Sequence, residues 1–168
     1  MILESIGTLG ENIKLARVGS LTVKGEGLVN FYIHNAVSGC CGKIGAAVAI
    51  ESDKVVPAEK IQILARQIGM HVAAAKPEAL DINSLDQSKV DNEKRILTEQ
   101  AQASGKTESV IAKMIEGRIR KFYEEVVLLE QAFVINPDKK IREVISDLGK
   151  ELGCNLKLTG YLRFALGA

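Results

Sequence analysis

Residues 57–77 read PAEKIQILARQIGMHVAAAKP, and the rest of the fold can be built outward from this stretch. Pro57 suits a first helical turn, where its missing N–H has no partner to lose. Lys76 ends the helix, because the residue before a proline is disfavoured in the helical region. Between them, apolar side chains recur at the steps of one helical face: Ile61, Leu64, Ala65, Ile68, Val72 and Ala75. The stretch predicts an amphipathic helix lying on an apolar sheet.

That sheet is predicted upstream. Three segments rich in Val, Ile and Leu are read as strands: Ile13–Val23, Leu28–His34 and Lys43–Ser52. The third places alternate residues from Ile44 to Ile50 on one face, the period of a half-buried strand. Connections this short favour antiparallel pairing, since a parallel crossover needs a dozen or more residues. The first third is therefore predicted as an antiparallel meander.

Two amphipathic runs follow between Asp86 and about Glu125. They flank Ser104–Lys106, where Gly105 permits a chain reversal, and Thr107 is a candidate N-cap for the second run. Two helices joined by so short a turn run antiparallel. The segment is rich in charge outside its apolar stripes, so we expect a projecting helical hairpin.

The last third repeats the opening theme. Glu125–Ile135 is predicted as a strand, and Asn136–Asp138 as the start of a helix that Gly153 ends in the left-handed conformation. Asn155–Leu166 is read as a final strand. The predicted fold class is α+β, with two related antiparallel-sheet-plus-helix subdomains and an inserted antiparallel helical (coiled-coil) hairpin. The expected divisions are 1–83, 84–124 and 125–168.

Composition narrows the class of function. Of 168 residues 46% are hydrophobic, and 22 Lys and Arg nearly balance 21 Asp and Glu. This balance gives no basic footprint for nucleic-acid binding. The longest apolar runs are too short for a membrane span, and the first residues do not resemble a secretory signal, so we expect a cytoplasmic protein. In that compartment Cys40, Cys41 and Cys154 are expected to be thiols.

Few residues could carry chemistry. His71 falls on the apolar stripe and is predicted to be a core histidine. His34, Cys40 and Cys41 are close in sequence, but their spacing matches no standard zinc pattern. Residues 38–44, SGCCGKI, superficially resemble a phosphate-binding loop, but Val37 and Ile44 stand where that motif needs Gly and Ser or Thr. We expect a hairpin turn there, no catalytic residue, no metal and no cofactor, hence a binding protein.

Motifs along nearly the whole chain resemble elongation factor Ts. They stand in order as LGENI at 9–13 with Arg17, MHVAAAKP at 70–77, SGK at 104–106, IAKMIEGR at 111–118, KFYEEV at 121–126 and QAFV at 131–134. The resemblance implies a non-catalytic guanine-nucleotide exchange factor that binds elongation factor Tu and promotes replacement of GDP by GTP. It also implies that the helical hairpin makes dimer contacts.

The resemblance further implies which residues touch the partner. Leu9 and Gly10 match a pair that presses on the partner's nucleotide domain. His34 matches a histidine at a strand end that contacts another partner domain, and Val134 and Ile135 match a pair that touches the same region. Adjacent side chains on a strand point oppositely, so one member of this last pair is a candidate for the core instead.

The chain also departs from the family pattern. It has no counterpart of the Thr-Asp-Phe-containing segment that wedges near the partner's Mg²⁺ site, nor of the small N-terminal helical domain. Ala16 and Ala132 replace a family Arg and Pro. We therefore expect a core fragment that binds elongation factor Tu but exchanges nucleotide weakly. Two alternatives stay open: a pure dimerisation module, and a thiol enzyme or metal protein using His34, Cys40 and Cys41.

Overall fold

The computed structural model describes residues 2–102 and 107–167, without the side chain of Gln102. This part of the chain mixes helices with antiparallel sheet, as an α+β fold does. Two short 3-10 turns, Ile82–Ser84 and Leu128–Glu130, interrupt the longer elements. Those elements are α1 (Ile2–Leu9), β1 (Gly27–Ser38), β2 (Cys41–Ser52), α2 (Ala58–Ala75), α3 (Gln87–Gln102), α4 (Glu108–Val126), β3 (Ala132–Phe133), β4 (Asn136–Lys140), α5 (Ile141–Leu152) and β5 (Leu156–Ala165).

The main sheet has three strands in the order β1-β2-β5, and both pairings are antiparallel. Ile50 of β2 pairs with Leu28 on one side and Leu158 on the other. The sheet begun in the first third of the chain is thus completed by a strand from the last third. The division into two related subdomains around an insert stays a prediction.

Helix α2 covers one face of this sheet, as predicted. It begins after Pro57 and ends at Lys76, whose backbone is left-handed with φ 52°. Its stripe forms the main core with the inward residues of β2 and α5, and Ile68 and Val72 are fully buried there. Gly69 allows a close approach to β1, since a methyl group built on it would lie 3.0 Å from Tyr32 Cβ.

The predicted strand Ile13–Val23 is wrong, because residues 12–23 belong to no strand. This segment instead lies beside β5 through side-chain contacts. The Arg17 Nη2 donates to the Ala165 carbonyl at 3.1 Å, and the guanidinium carbon stands 5.2 Å from the centre of the Phe164 ring. A methyl group on Gly19 would lie 2.9 Å from Leu162. The apolar content of the segment predicts a strand, but side-chain contacts with β5 take the place of the backbone hydrogen bonds that a strand would make.

The strand predicted for Glu125–Ile135 is also wrong. Helix α4 continues to Val126, and Val127 N–H still donates to the Tyr123 carbonyl at 2.9 Å. Burial explains the difference, because Val127 packs with a second cluster containing Ala79, Leu85 and Val90. The apolar run therefore forms the end of α4 and a 3-10 turn, and only two of its residues belong to β3.

The helix predicted to start at Asn136–Asp138 starts later. Those residues form β4, which pairs with β3, and Pro137 is tolerated in this small two-stranded sheet. The helix begins at Ile141, where Glu143 Oε2 accepts from Lys140 N–H at 2.8 Å and caps the first turn. Its apolar stripe and its end at Gly153, with φ 66°, are as predicted.

Helices α3 and α4 confirm the two helical runs, and they pack against each other. Their buried apolar residues include Leu97, Ala101 and Ile119. Thr107 occupies the N-cap position of α4 with extended backbone, as predicted, although its side chain makes no capping hydrogen bond. The predicted turn at Ser104–Lys106 lies outside the described residues. The coiled-coil geometry stays a prediction.

Candidate functional site

Val134 and Ile135 form the two-residue turn between β3 and β4, where Phe133 pairs with Asn136. Val134 is 55% exposed and Ile135 is 49% exposed. The alternative that one of the two is a core residue is therefore wrong, because they lie on a turn rather than on a strand. Tight turns favour Gly, Asn and Asp, so two branched apolar residues are not explained by the turn itself. Their exposure suits contact with another molecule.

A buried histidine holds this turn. His71, on α2, is 1% exposed, which confirms it as a core histidine. Val134 N–H donates to His71 Nδ1 at 3.2 Å. Because a backbone N–H can only donate, Nδ1 must be unprotonated and the ring proton must sit on Nε2. His71 Nε2–H then donates to Gln131 Oε1 at 2.8 Å.

The chain of hydrogen bonds continues into α4. Gln131 is buried, and its Nε2 donates to the Glu125 carbonyl at 2.7 Å in the last turn of α4. One network therefore joins α2, the β3–β4 turn and the end of α4. Burial lowers the pKa of His71 below its ordinary value, and the hydrogen bond to Gln131 opposes this only in part. The ring is accordingly neutral near pH 7 and suited to accept from Val134.

His34 lies on β1, where it pairs with Ile44, and it is exposed. Its Nδ1 is 3.0 Å from the Tyr32 hydroxyl, and the two ring centres are 6.0 Å apart. Tyr32 is half-buried against Gly69 of α2. A ring that is itself held by the core thus orients His34, which is itself exposed.

The last two turns of α2 connect these two features. Gly69 contacts Tyr32 of β1, and His71 contacts Val134 of the β3–β4 turn. Successive helical residues are rotated by about 100°, so Met70 points between these two directions. Met70 is 40% exposed. The last two turns of α2 therefore hold both Tyr32, the residue that contacts His34, and the Val134–Ile135 turn.

Leu9 and Gly10 form a separate feature at the end of α1. Leu9 is 64% exposed, and α1 buries none of its side chains. Gly10 has φ 69° and donates its N–H to the Ile6 carbonyl at 2.9 Å, so it terminates the helix in the left-handed conformation. A methyl group on Gly10 would meet nothing within 4 Å. Glycine is thus needed here for its backbone, and the space beside it is open.

The structure also places the residues of the thiol-enzyme or metal-protein alternative. Gly39 and Cys40 form the β1–β2 hairpin turn, as predicted, and Cys40 and Cys41 are exposed. Within residues 2–102 and 107–167, no three His, Cys, Asp or Glu side chains converge to hold a metal ion. None of the described helices is long and apolar enough to cross a membrane.

The sequence patterns do not predict two further residues of this region, Met70 and Gln131. Met70 lies off the buried stripe, and Gln131 is a polar residue within an otherwise apolar run. Both belong to the motif segments 70–77 and 131–134. An exposed apolar residue on a helix and a buried amide between apolar neighbours were the available signals.

The family model described as elongation factor TS matches residues 1–168. Elongation factor Ts of Rhodospirillum centenum is 50% identical over 162 residues, which are 96% of this chain and 52% of that protein. The same protein of Paramagnetospirillum magneticum is 52% identical over 162 residues, 96% of this chain and 51% of the relative. Elongation factor Ts of Mesorhizobium japonicum is 49% identical over 166 residues, which are 99% of this chain and 53% of that protein. The chain spans about half the length of these relatives.

Proposed function

This chain belongs to the elongation factor Ts family, and we propose on that premise that it binds elongation factor Tu carrying GDP and promotes its exchange for GTP. The proposed contacts are Leu9, Gly10, His34, Val134 and Ile135. The activity requires binding energy only, with no covalent step, no metal and no cofactor from this chain. Its place is then the cytoplasm, where translation occurs.

The exposed Val134–Ile135 turn carries the proposal. Two branched apolar side chains stand on a turn that a buried network holds in place. Transferring an exposed Val or Ile side chain fully into an interface gains about 1.5–3 kcal/mol, so covering the exposed half of each gains about 1 kcal/mol. Preorganisation keeps that gain, because little side-chain and loop freedom is lost on binding.

Exchange follows from coupling between two ligands of one protein. If this chain binds the nucleotide-free shape of elongation factor Tu more tightly than the GDP-bound shape, it must weaken GDP binding by the same factor. The 168 residues contain no stretch similar to the Thr-Asp-Phe-containing segment. We therefore propose that these residues by themselves bind the partner and accelerate GDP release only weakly.

An alternative is a dimerisation module that uses the hairpin. Ala112, Ile115, Ile119 and Tyr123 line a largely apolar recess on α4, bordered by Lys94, Glu116 and Arg120. Such a recess suits a helix from a second copy. Sedimentation velocity over a hundredfold range of concentration tests this alternative, since a concentration-independent monomer eliminates it.

Release of fluorescent GDP from elongation factor Tu tests the main proposal. The wild-type chain should accelerate release measurably. Val134→Asp should abolish the acceleration, because a charge cannot enter an apolar contact without a partner. Val55→Asp is the matched control, since Val55 is 80% exposed and lies outside the proposed surface. Equal loss in both variants, or no acceleration by the wild type, contradicts the proposal.

A further inference from the structure

The β3–β4 hairpin cannot fix its own turn. It has two paired positions, Ala132 with Lys140 and Phe133 with Asn136, and the register shifts between them. A hairpin this small is marginal without outside support. The turn residues Val134 and Ile135 each have about half of their surface exposed to solvent. Their position must therefore be set by contacts from elsewhere in the chain.

We propose that His71 is a positioning residue for partner binding, which as its Nε2–H tautomer fixes the Val134–Ile135 turn by accepting Val134 N–H and donating to Gln131. The part played in partner binding rests on the proposed function. The tautomer and the fixing of the turn do not, because they follow from hydrogen bonds within this chain.

Packing alone does not explain why a histidine occupies position 71. An apolar side chain of similar size would pack beside Phe133, whose ring centre is 6.1 Å from that of His71. A polar ring in this position is costly unless its nitrogens are bonded, and both are. Removing the ring would leave Val134 N–H and the buried Gln131 side chain each short of a partner.

Two substitutions separate the two nitrogens. The amide of an asparagine reaches the position of Nδ1, so His71→Asn can still accept from Val134 N–H. The longer glutamine reaches the position of Nε2, so His71→Gln can keep the contact with Gln131 but leaves Val134 N–H without its acceptor. His71→Leu keeps volume and neither bond. His71→Asn removes more side-chain volume than His71→Gln does, so a better result for the Asn variant cannot come from packing.

The first measurement needs no variant. Nitrogen NMR of the wild-type imidazole should show an unprotonated Nδ1 and a protonated Nε2 at pH 7.5. Hydrogen exchange at the Val134 amide should be slow in the wild type and in His71→Asn. It should be at least tenfold faster in His71→Gln and His71→Leu. A protonated Nδ1, or equal Val134 exchange in the Asn and Gln variants, overturns the inference.

The second measurement is affinity for nucleotide-free elongation factor Tu. His71→Asn should bind within about threefold of wild type, whereas His71→Gln and His71→Leu should bind at least tenfold more weakly, under conditions where circular dichroism shows each folded. Equal affinity of the Asn and Gln variants contradicts the positioning role. If the wild type does not bind at all, the proposed function fails, and the NMR and exchange results still decide whether His71 fixes the turn.

Discussion

Lys140, at the end of β4, reaches Glu124 near the end of α4, with 2.9 Å between Nζ and Oε1. The same ammonium lies 3.1 Å from Glu130 Oε2. The hydrogen bond from Lys140 holds the pKa of Glu124 below its ordinary value, and the bond to Glu124 raises the pKa of Lys140. This pair links the C-terminal end of α4 to the β3–β4 segment that carries the exposed turn.

Lys140→Met should lower the free energy of unfolding by about 1 kcal/mol at pH 7, since the pair is partly buried. Glu124 has a lowered pKa in the folded state, so its contribution is present above its ordinary value of 4.5 and is lost as the pH falls through the folded value. Urea unfolding of both proteins should therefore converge at acid pH.

Lys139→Met is the control for that experiment. Lys139 pairs with Asp147 at 2.6 Å, but both side chains are more than two-fifths exposed. We expect a smaller loss than for Lys140→Met, because solvent screens a pair that lies at the surface. Equal effects of the two substitutions would show that Lys140 is an ordinary surface charge.

Stability should depend on pH through His71. Burial lowers its folded-state pKa below 6.5, so the unfolded chain binds a proton that the folded chain resists. The free energy of unfolding should be level above pH 6.5 and fall by up to about 1.4 kcal/mol per pH unit below it, until the folded pKa is reached. Chemical denaturation between pH 5 and 7.5 measures this slope. His71→Asn should remove it, and an unchanged slope would contradict the assignment.

Gly27 should tolerate no side chain. It has φ 144°, and a methyl group built on it would lie 2.3 Å from the Ile50 carbonyl oxygen of the neighbouring strand. Gly25 also has positive φ, at 88°, but has open space beside it. Gly25→Ala should cost about 1 kcal/mol through backbone strain, and Gly27→Ala should cost at least about 2 kcal/mol more. Thermal unfolding of the two variants gives the comparison; similar melting temperatures would be inconsistent with the β1–β2 register.

His34→Ala should weaken binding to elongation factor Tu about tenfold, the effect of losing about 1.4 kcal/mol at an interface. Because His34 is exposed, the melting temperature should not change. Val37→Ala on the same strand is the control, as Val37 is 80% exposed and outside the proposed contacts. Titration calorimetry with nucleotide-free partner distinguishes them. A loss of affinity in both variants points to the whole strand rather than to His34.

Local patterns predicted part of this structure well. Helix α2 with its end at Lys76, helices α3 and α4, and the stop at Gly153 are predictable because each depends on residues a few positions apart. The helical position of His71 alone likewise predicts its place in the core, where it is 1% exposed.

The predictions are wrong where contacts between residues far apart in sequence determine the local structure. The apolar content of Ile13–Val23 predicts a strand, yet this segment contacts β5 more than 100 residues away in sequence. Val127 favours a strand by type but is buried at a helix end. The bond between His71 and Val134 joins residues 63 apart, so no local pattern indicated it. The family resemblance therefore indicates Val134 as a contact residue, but no sequence pattern indicates that His71 holds it.

The preference of this chain for nucleotide-free over GDP-bound elongation factor Tu tests the account most directly. Calorimetric titration at low salt should give clear binding to the nucleotide-free form and at least tenfold weaker binding once GDP and Mg²⁺ are added, because the two ligands oppose each other. No binding to the nucleotide-free form, or equal affinity for both forms, would contradict the exchange function.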